Sequence, residues 1–331
     1  MPSDIRPPES VRTNAPKIRT IFMGTPDFAA TILGGLRDAG YHIVAVYTKP
    51  DKPVGRKQET TPPPVKRIAE EAGIPVEQPI RFDEKAVETL RGYKPDLIVV
   101  AAYGKILPGA VLEMPGFGCV NVHTSLLPKY RGAAPVQNAL LQGETETGVT
   151  LMLLDDGLDT GDILAQTSLV ISPDDTRDTL LAKLAEDGVT LLRETLPLWV
   201  ERKITPKPQD ETQATVCQLI DREDGRIFWN ETAETIWNTF RGLTPWPGIF
   251  TFWKREDSSF LRLKLNLISV QKTNPASRRA LGEVFEVGEK VAIQTAEGLV
   301  FPETLQPEGK QEMSIRDFMN GHSDFIGSKL G

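Results

Sequence analysis

Residues 17–48 constrain the fold more than any other part of the sequence. The run 17–23 (KIRTIFM) predicts a strand, residues 27–39 show a helical pattern that ends at Gly40, and 41–48 predicts a second, almost continuously apolar strand. A helix between two such strands indicates a parallel pair, because parallel strands need a long crossover connection. We therefore expect the chain to begin with a Rossmann-like, mostly parallel sheet.

Later segments extend this α/β pattern and then replace it. The apolar run 96–102 (DLIVVAA) suits a central parallel strand, and 176–201 predicts a long amphipathic helix. Residues 202–209 contain two prolines and predict a linker, and from 210 onward short strands and turns are typical of a small β-barrel. We predict a disordered extension at 1–16, a catalytic domain at 17–201, a linker at 202–209 and a β-rich domain at 210–331.

Composition excludes several classes of protein. The 331 residues are 40% hydrophobic and 25% charged, as in an ordinary globular protein, and no stretch reaches the roughly 18 apolar residues of a membrane span. The N-terminus lacks the apolar segment of a secretory signal, and the two cysteines form no metal or redox motif. We expect a cytoplasmic protein without a metal, monomeric by default. The net charge of −7 argues against a general nucleic-acid binder but not against a local basic surface.

Polar residues interrupt the next predicted strand, 119–123 (CVNVH), at alternate positions. Side chains two apart in a strand point to the same face, so Asn121 and His123 are expected to lie together. An acidic loop, DDGLDTGD at 155–162, follows a further predicted strand and contributes Asp159. An imidazole, with an ordinary pKa of about 6.5, can move a proton near neutral pH. An amide can donate to an oxygen that gains charge, and a carboxylate can orient the imidazole. Such a set suits acyl transfer between amines, although each motif alone is more often a structural strand or turn.

Taken together, these motifs resemble a known signature. Asn121-x-His123, the following run SLLPKYRG at 125–132 and GLDTG at 157–161 are similar to the signature of the 10-formyltetrahydrofolate-dependent formyltransferases. The continuation AAPVQ at 133–137 is most similar to the branch of that family that formylates methionyl-tRNA. The resemblance extends from about residue 17 to the C-terminus and is most specific at 121–162.

The resemblance implies the fold, the substrates and the site. It implies an OB-like barrel as the C-terminal, tRNA-binding domain, 10-formyltetrahydrofolate as co-substrate, and the initiator methionyl-tRNA as acceptor. It implies a catalytic set of Asn121, His123 and Asp159. The implied folate-binding residues are Tyr103, Gly104, Ser125, Leu126, Leu127, Pro128, Asp155 and Gly157.

A basic loop carries most of the implied contacts with tRNA. The loop 49–64 (KPDKPVGRKQETTPPP) is similar to one that enters the acceptor stem in this branch, although it is about one residue shorter. The implied tRNA-binding residues are Lys49, Lys52, Arg56, Lys57 and, at the corner after the catalytic strand, Arg131. A modest excess of basic residues between 254 and 290 is a further candidate surface, or only a solvated one.

Several related functions stay open at this point. A glycinamide ribonucleotide formyltransferase would end near the predicted linker, and sugar-nucleotide formyltransferases tend to have Arg-Gly-Arg-Ala-Pro where this chain has RGAAP at 131–135. A formyltetrahydrofolate hydrolase would use water in place of the amine, and a non-catalytic folate- or RNA-binding protein would not need the Asn/His/Asp set. Whether His123 acts as base, acid or oxyanion donor is not decided by the sequence.

Overall fold

The computed structural model describes residues 17–54, 59–255, 258–273 and 279–331. The chain forms two compact units, and the second includes two short segments from the first part of the chain. The first comprises the chain up to Pro135 together with Thr145–Ile171 and Thr179–Gln218; the second comprises Val136–Glu144, Ser172–Asp178 and Leu219–Gly331. The predicted extension at 1–16 and the predicted tRNA contacts Arg56 and Lys57 lie outside the described residues.

Eleven strands precede the large antiparallel sheet of the second unit among the described residues. They are β1 (Thr20–Gly24), β2 (Ile43–Tyr47), β3 (Lys52–Val54), β4 (Glu59–Thr61), β5 (Val76–Glu77), β6 (Leu97–Ala101), β7 (Cys119–His123), β8 (Arg131–Gly132), β9 (Glu146–Leu153), β10 (Ile163–Val170) and β11 (Val216–Cys217). The helices over the same stretch are α1 (Asp27–Asp38), α2 (Pro64–Glu71), α3 (Glu84–Gly92), α4 (Gly109–Leu112), α5 (Pro135–Leu141) and α6 (Arg177–Val200).

Seven of these strands form the central sheet of the first unit, in the order β10-β9-β7-β6-β1-β2-β5. The five strands from β7 to β5 pair in parallel, whereas β9 and β10 pair antiparallel at one edge. β1 and β6 are buried along their whole length, as expected for central parallel strands covered on both faces. The predicted Rossmann-like sheet is confirmed.

The first turn of the chain is tight because β1 meets α1 closely. A Cβ atom placed on Gly24 would lie 2.6 Å from the Cβ atom of Ala29 and 2.8 Å from the carbonyl oxygen of Ala101. No side chain fits between the strand, the helix and β6, so glycine is required by packing. The interpretation of Gly24 as a close strand-to-helix turn agrees with this geometry.

The segment predicted as a linker is paired with the first unit. The backbone of Lys207 exchanges two hydrogen bonds with that of Ile163, at 2.8 and 2.9 Å, and β11 pairs in parallel with β8. Residues through Gln218 belong to this unit. The prolines therefore mark an extended strand-like path rather than a free connection, while the domain limits given above stay predictions.

The second unit is built on an antiparallel sheet, in the order β12-β13-β16-β15-β14, with β17 paired to β16. Its strands are β12 (Ile249–Lys254), β13 (Phe260–Gln271), β14 (Val284–Val287), β15 (Lys290–Gln294), β16 (Leu299–Pro307) and β17 (Met313–Ser314). Its helices α7 (Ala233–Leu243) and α8 (Ile315–Asn320) contribute Phe240 and Phe318 to a core centred on Trp253. The predicted β-rich second domain is confirmed as this antiparallel sheet.

Two kinds of feature are absent from the part of the chain that the structure describes. Within the described ranges, no helix has both the length and the apolar character needed to cross a membrane. In the same ranges, no group of three or more His, Cys, Asp or Glu side chains is arranged to hold a metal ion.

Candidate active site

β7 places Asn121 and His123 on one face at the point where the parallel and antiparallel parts of the sheet meet. Asn121 lies between Val100 of β6 and Met152 of β9, and His123 is opposite Thr150 of β9. His123 is 6% exposed, whereas Asn121 is half-buried. The Asn121 amide is not hydrogen-bonded to any other residue that the structure describes, so its N–H groups are available to a ligand.

A backbone carbonyl determines the tautomer of His123. Its Nε2 atom lies 3.0 Å from the carbonyl oxygen of Tyr130. A carbonyl oxygen can only accept a hydrogen bond, so Nε2 carries the proton and donates it. Nδ1 of a neutral His123 therefore has a free lone pair. Tyr130 presents its carbonyl from a left-handed conformation, with φ of 60°.

Asp159 faces the free nitrogen of that imidazole. Its Oδ2 atom is 3.7 Å from Nδ1 of His123 and accepts a 2.8 Å hydrogen bond from the backbone N–H of Gly132. Asp159 has a left-handed backbone, with φ of 53°, which aspartate tolerates better than most residues. The structure thus brings Asp159 to His123 across 36 residues of sequence, in agreement with the set that the family resemblance implies.

Arg131 is part of the framework of the site. It is 5% exposed, and its guanidinium donates to both carboxylate oxygens of Glu211, at 2.7 and 2.8 Å. It also donates from Nε and Nη2 to Oε1 of Gln209, at 3.0 and 2.8 Å. The hydrogen bond from Arg131 lowers the pKa of Glu211. A guanidinium that is buried and already neutralised holds the corner in place, and its predicted contact with tRNA is not tested by this geometry.

The turn after β7 is closed by buried hydroxyl groups. The Ser125 hydroxyl donates to the carbonyl of Lys129 at 2.6 Å, and the Thr150 hydroxyl donates to the carbonyl of Ser125 at 2.6 Å and accepts from the N–H of Leu127 at 3.1 Å. Ser125 and Leu127 are buried, whereas Leu126 and Pro128 are partly exposed. Within the predicted folate-binding turn, the buried pair shapes the wall, and the partly exposed pair is accessible to a ligand.

The end of β6 offers an apolar surface with an unusual backbone. Ala102 and Gly104 both have positive φ, 45° and 69°, and Tyr103 between them is buried. Ile106 just beyond is 94% exposed, and Leu158 in the acidic loop is 60% exposed. Exposed apolar side chains fit a flat, heteroaromatic ligand, so the residues present are compatible with a pterin ring.

The acidic loop itself is held by one of its own carboxylates. Oδ1 of Asp155 accepts from the N–H of Gly157 at 3.0 Å and from the hydroxyl of Thr160 at 2.7 Å. A Cβ atom on Gly157 would fall 1.9 Å from the Thr160 hydroxyl oxygen, so this tight turn requires glycine. Asp155 and Gly157, both predicted folate contacts, are exposed and also set the shape of the loop.

The basic loop is tethered to the first unit at its base. Strands β3 and β4 pair antiparallel across it, a hairpin that the sequence did not predict. Asp51 accepts from Lys66 at 2.8 Å and from the Gln78 amide at 2.8 Å, which lowers the pKa of its carboxyl group. Lys52 is exposed and Lys49 is partly exposed. The hairpin is therefore held by its acidic residue, which leaves the positive charge of Lys52 in solvent.

A second basic surface lies on one face of β12 and β13 in the second unit. We call it the aromatic–basic face; it consists of Arg226, Phe228, Phe250, Phe252, Arg262 and Lys264. The guanidinium of Arg262 is 3.6 Å from the ring centroid of Phe250. That of Arg226 lies 5.1 Å from the ring of Phe228 and 5.3 Å from that of Phe252.

The three cations of this face have no acidic partner among the residues that the structure describes. Two other basic residues of the stretch 254–290 do have acidic partners: Lys272 pairs with Glu234, and Arg279 pairs with Glu283. Arg278 lies outside the described residues. Arg262 and Lys264 therefore carry uncompensated charge within 254–290. Arg226 adds a third uncompensated charge to the same face, although it lies outside the stretch that the sequence predicted as basic.

Sequence comparisons agree with both units. The profile of a family described as formyl transferase matches residues 17–196, and that of the formyl transferase C-terminal domain matches residues 219–323. A methionyl-tRNA formyltransferase from Desulfotalea psychrophila is 45% identical over 94% of this chain and 95% of its own length. Another from Caldicellulosiruptor saccharolyticus is 45% identical over 91% of this chain and 96% of its own.

Solved structures share the fold at much lower identity. The sugar 3N-formyltransferase WlaRD superimposes with a TM-score of 0.60 at 18% identity, over 90% of this chain and 100% of its own. HypX from Aquifex aeolicus, solved with tetrahydrofolic acid, gives a TM-score of 0.64 at 17% identity over 94% of this chain, which spans about half (48%) of HypX. The profile matches and the near full-length relatives show that the chain belongs to the formyl transferase family.

Proposed function

We propose that this enzyme transfers the formyl group of 10-formyltetrahydrofolate to the α-amine of methionyl-initiator tRNA. The observation that carries the proposal is the identity of about 45% to methionyl-tRNA formyltransferases over nearly the full length of both chains, across both units. The geometry around His123 supplies the chemistry. We include a cytoplasmic location in the proposal, since both cysteines are free and buried.

Asn121 and His123 act on the formyl group in this proposal. The amine nitrogen attacks the formyl carbon, and the bond between the formyl carbon and N10 of the folate breaks. The amine loses a proton, and N10 gains one. The formyl oxygen gains negative charge during the attack, and the free Asn121 amide is placed to donate to it. Because Nε2 is committed to Tyr130, Nδ1 is the nitrogen that exchanges a proton with the reacting groups.

Asp159 supports the charged form of the imidazole. When Nδ1 takes a proton, the carboxylate at 3.7 Å lies close enough to stabilise the resulting imidazolium. The Gly132 N–H binds the same oxygen and keeps it directed at His123. His123 thus serves as the proton acceptor for the amine and then as a donor, with Asp159 as its electrostatic partner.

The folate lies, in this proposal, against the end of β6 and the acidic loop. Ile106 and Leu158 supply apolar contact, and the backbone around Gly104 and Gly157 supplies hydrogen bonds to the pterin edge. Leu126 and Pro128 are the accessible members of the turn after β7. Much of the rate enhancement is expected from holding the formyl carbon and the amine in line.

The acceptor tRNA contacts basic residues of each unit in this proposal. On the first unit these are Lys49, Lys52, Arg56 and Lys57 of the basic loop. On the second unit the aromatic–basic face combines cations that have no acidic partner among the described residues with phenylalanine rings, of which Phe228 is 48% exposed and Phe250 is buried. Cations that have no acidic partner can bind phosphates, and the exposed ring of Phe228 can stack on an unpaired base. This local charge explains how a chain of net charge −7 binds RNA.

The direct test is formyl transfer by the purified protein with three acceptors. The reaction from 10-formyltetrahydrofolate is followed with charged initiator tRNA, with charged elongator methionyl-tRNA and with no acceptor. We expect formylation of the initiator and little of the elongator. Loss of the formyl group at the same rate without any acceptor would contradict the proposal and indicate a hydrolase. Formylation of an amino sugar, the class of acceptor expected for a sugar 3N-formyltransferase such as WlaRD, is the second outcome that would contradict it.

A further inference from the structure

Gln209 holds the turn that carries Asp159. The two N–H groups of its amide donate to the carbonyl oxygens of Asp159 and Gly161, at 2.9 and 2.8 Å. One side chain therefore ties together both ends of the tight turn in which Asp159 has φ of 53°. A non-glycine residue in this conformation persists only where its surroundings hold it there.

The orientation of the Gln209 amide is set by Arg131. Oε1 of Gln209 accepts from Nε and Nη2 of Arg131, and a flipped amide would place its N–H groups against the guanidinium. Arg131 is in turn fixed by its two hydrogen bonds to Glu211. The donors of the amide are thereby forced toward the two carbonyls.

These contacts form a closed cycle around the carboxylate. Gly132, which follows Arg131 in the chain, donates its N–H to Oδ2 of Asp159, and Gln209 connects the Arg131 side chain to the Asp159 carbonyl. Two groups therefore hold Asp159: the Gly132 N–H binds its carboxylate, and the Gln209 amide binds its backbone carbonyl. Both groups are linked through Arg131. A shift of Gln209 changes the position of the oxygen that lies 3.7 Å from His123.

We propose that Gln209 is a positioning residue for catalysis, acting through the backbone of Asp159 to set the distance between its carboxylate and His123. This inference rests on the proposed function, and within it on the role of Asp159. Gln209 has no hydrogen bond to His123 among the described residues, so its effect on the reaction is indirect. It lies in the segment 202–209, whose composition predicts only a linker.

The test is a double-mutant cycle with the purified full-length chain. Gln209→Glu keeps the shape and the acceptor for Arg131, but it replaces the two donors by an oxygen that repels both carbonyls. Because small misplacements of reacting groups are costly, we expect kcat to fall about 10- to 100-fold while KM for the folate stays within about 3-fold. In an Asp159→Asn background the same change should lower kcat less than about 3-fold, since coupled residues are not additive. Gln218→Glu, an exposed change of equal charge in the same unit, is the control.

A pH profile provides a readout that a purely structural role would not move. The profile is measured in Gln209→Met, because Gln209→Glu adds a negative charge of its own near the imidazole. Moving the Asp159 carboxylate away without adding charge should shift the acidic limb of the kcat profile to lower pH. An unchanged profile with reduced kcat would contradict the proposal.

Each other outcome also decides the question. Equal losses of kcat in the wild-type and Asp159→Asn backgrounds, or an unchanged kcat, would overturn the positioning role. If Gln209→Glu does not fold, Gln209→Met, which removes the donors without adding charge, replaces it; if neither folds, Gln209 is structural and the proposal fails. Full activity of Asp159→Asn alone would instead refute the proposed catalytic set, which distinguishes the two failures.

Discussion

The corner around Arg131 and the aromatic–basic face both contain arginine, but the two regions use its charge differently. At the corner the guanidinium is buried and its donors are taken by Glu211 and Gln209. On the aromatic–basic face the guanidinium groups of Arg226 and Arg262 lie over phenylalanine rings, without an acidic partner among the described residues.

The difference separates a structural cation from one that is available to a ligand. A ring provides favourable contact with a guanidinium but leaves its net charge uncompensated, whereas a carboxylate neutralises it. Both kinds of residue are equally basic in the sequence. Surrounding groups, rather than residue type, therefore decide which arginines can bind a phosphate.

The largest expected effect is on kcat, for changes in the residues next to the Arg131 corner. His123→Ala and Asp159→Asn should each lower kcat by roughly 10²- to 10⁴-fold, because a general base and its electrostatic support are lost. Steady-state or single-turnover formylation assays measure this, with Asp38→Asn, an exposed aspartate at the end of α1, as the control. If either variant kept most of its turnover with an intact fold, the catalytic assignment would be wrong.

Methionine at each arginine tests the comparison directly. Arg131→Met leaves the Gln209 carbonyl oxygen without its two donors and should destabilise the first unit by roughly 1–3 kcal/mol, at the low end because Glu211 is exposed. Arg226→Met should leave the thermal midpoint nearly unchanged and weaken tRNA binding. Thermal unfolding and KM for charged tRNA measure the two effects. Equal unfolding temperatures for the two variants would contradict the distinction between a structural Arg131 and a ligand-binding Arg226.

The binding of tRNA to the aromatic–basic face can be tested by replacing its cations with methionine, which can still contact the phenylalanine rings. The double change Arg262→Met and Lys264→Met should raise KM for tRNA about 10-fold with kcat unchanged, and it should reduce the dependence of binding on salt by roughly two phosphate contacts. Lys272→Met is the matched control, because Lys272 already pairs with Glu234 at 2.8 Å. An unchanged salt dependence in the double variant would exclude this face as an RNA contact.

The smallest expected effect is on pH stability at the corner. The hydrogen bond from Arg131 lowers the pKa of Glu211, so its contribution is fully present above the unfolded value of about 4.3 and is lost as pH falls through the lower folded value. Glu211→Gln should therefore unfold at a slightly lower temperature than the wild type at pH 7, and the difference should shrink as the pH is lowered through the acidic range. Glu71→Gln, an exposed glutamate of the first unit, is the control. A constant difference across this pH range would show that the charge of Glu211 does not stabilise the corner.

Much of the fold and the central part of the site could be predicted from local sequence patterns. Apolar runs at 17–23 and 96–102 predict buried strands, and the residues they cover form β1 and β6. The alternation of side chains along a strand is a local property, so Asn121 and His123 lie on one face wherever β7 is placed. The family resemblance places Asp159 with His123 in one set, and the structure brings them to 3.7 Å.

Only the tertiary structure decided which groups surround those residues. The partners of Arg131 lie 78 and 80 residues further along the chain, and Gln209 lies in a segment whose prolines predict a linker. The β3–β4 hairpin follows Asp51, which is bound by Gln78, 27 residues further along. Arg226 joins the aromatic–basic face because its backbone bridges to Phe250. Periodicity and composition describe neighbours within a few residues, whereas compensation of a charge depends on the distance to groups brought together by folding. The sequence by itself determined the buried strands and which residues share one face of β7, and the folded chain determined which charges are free.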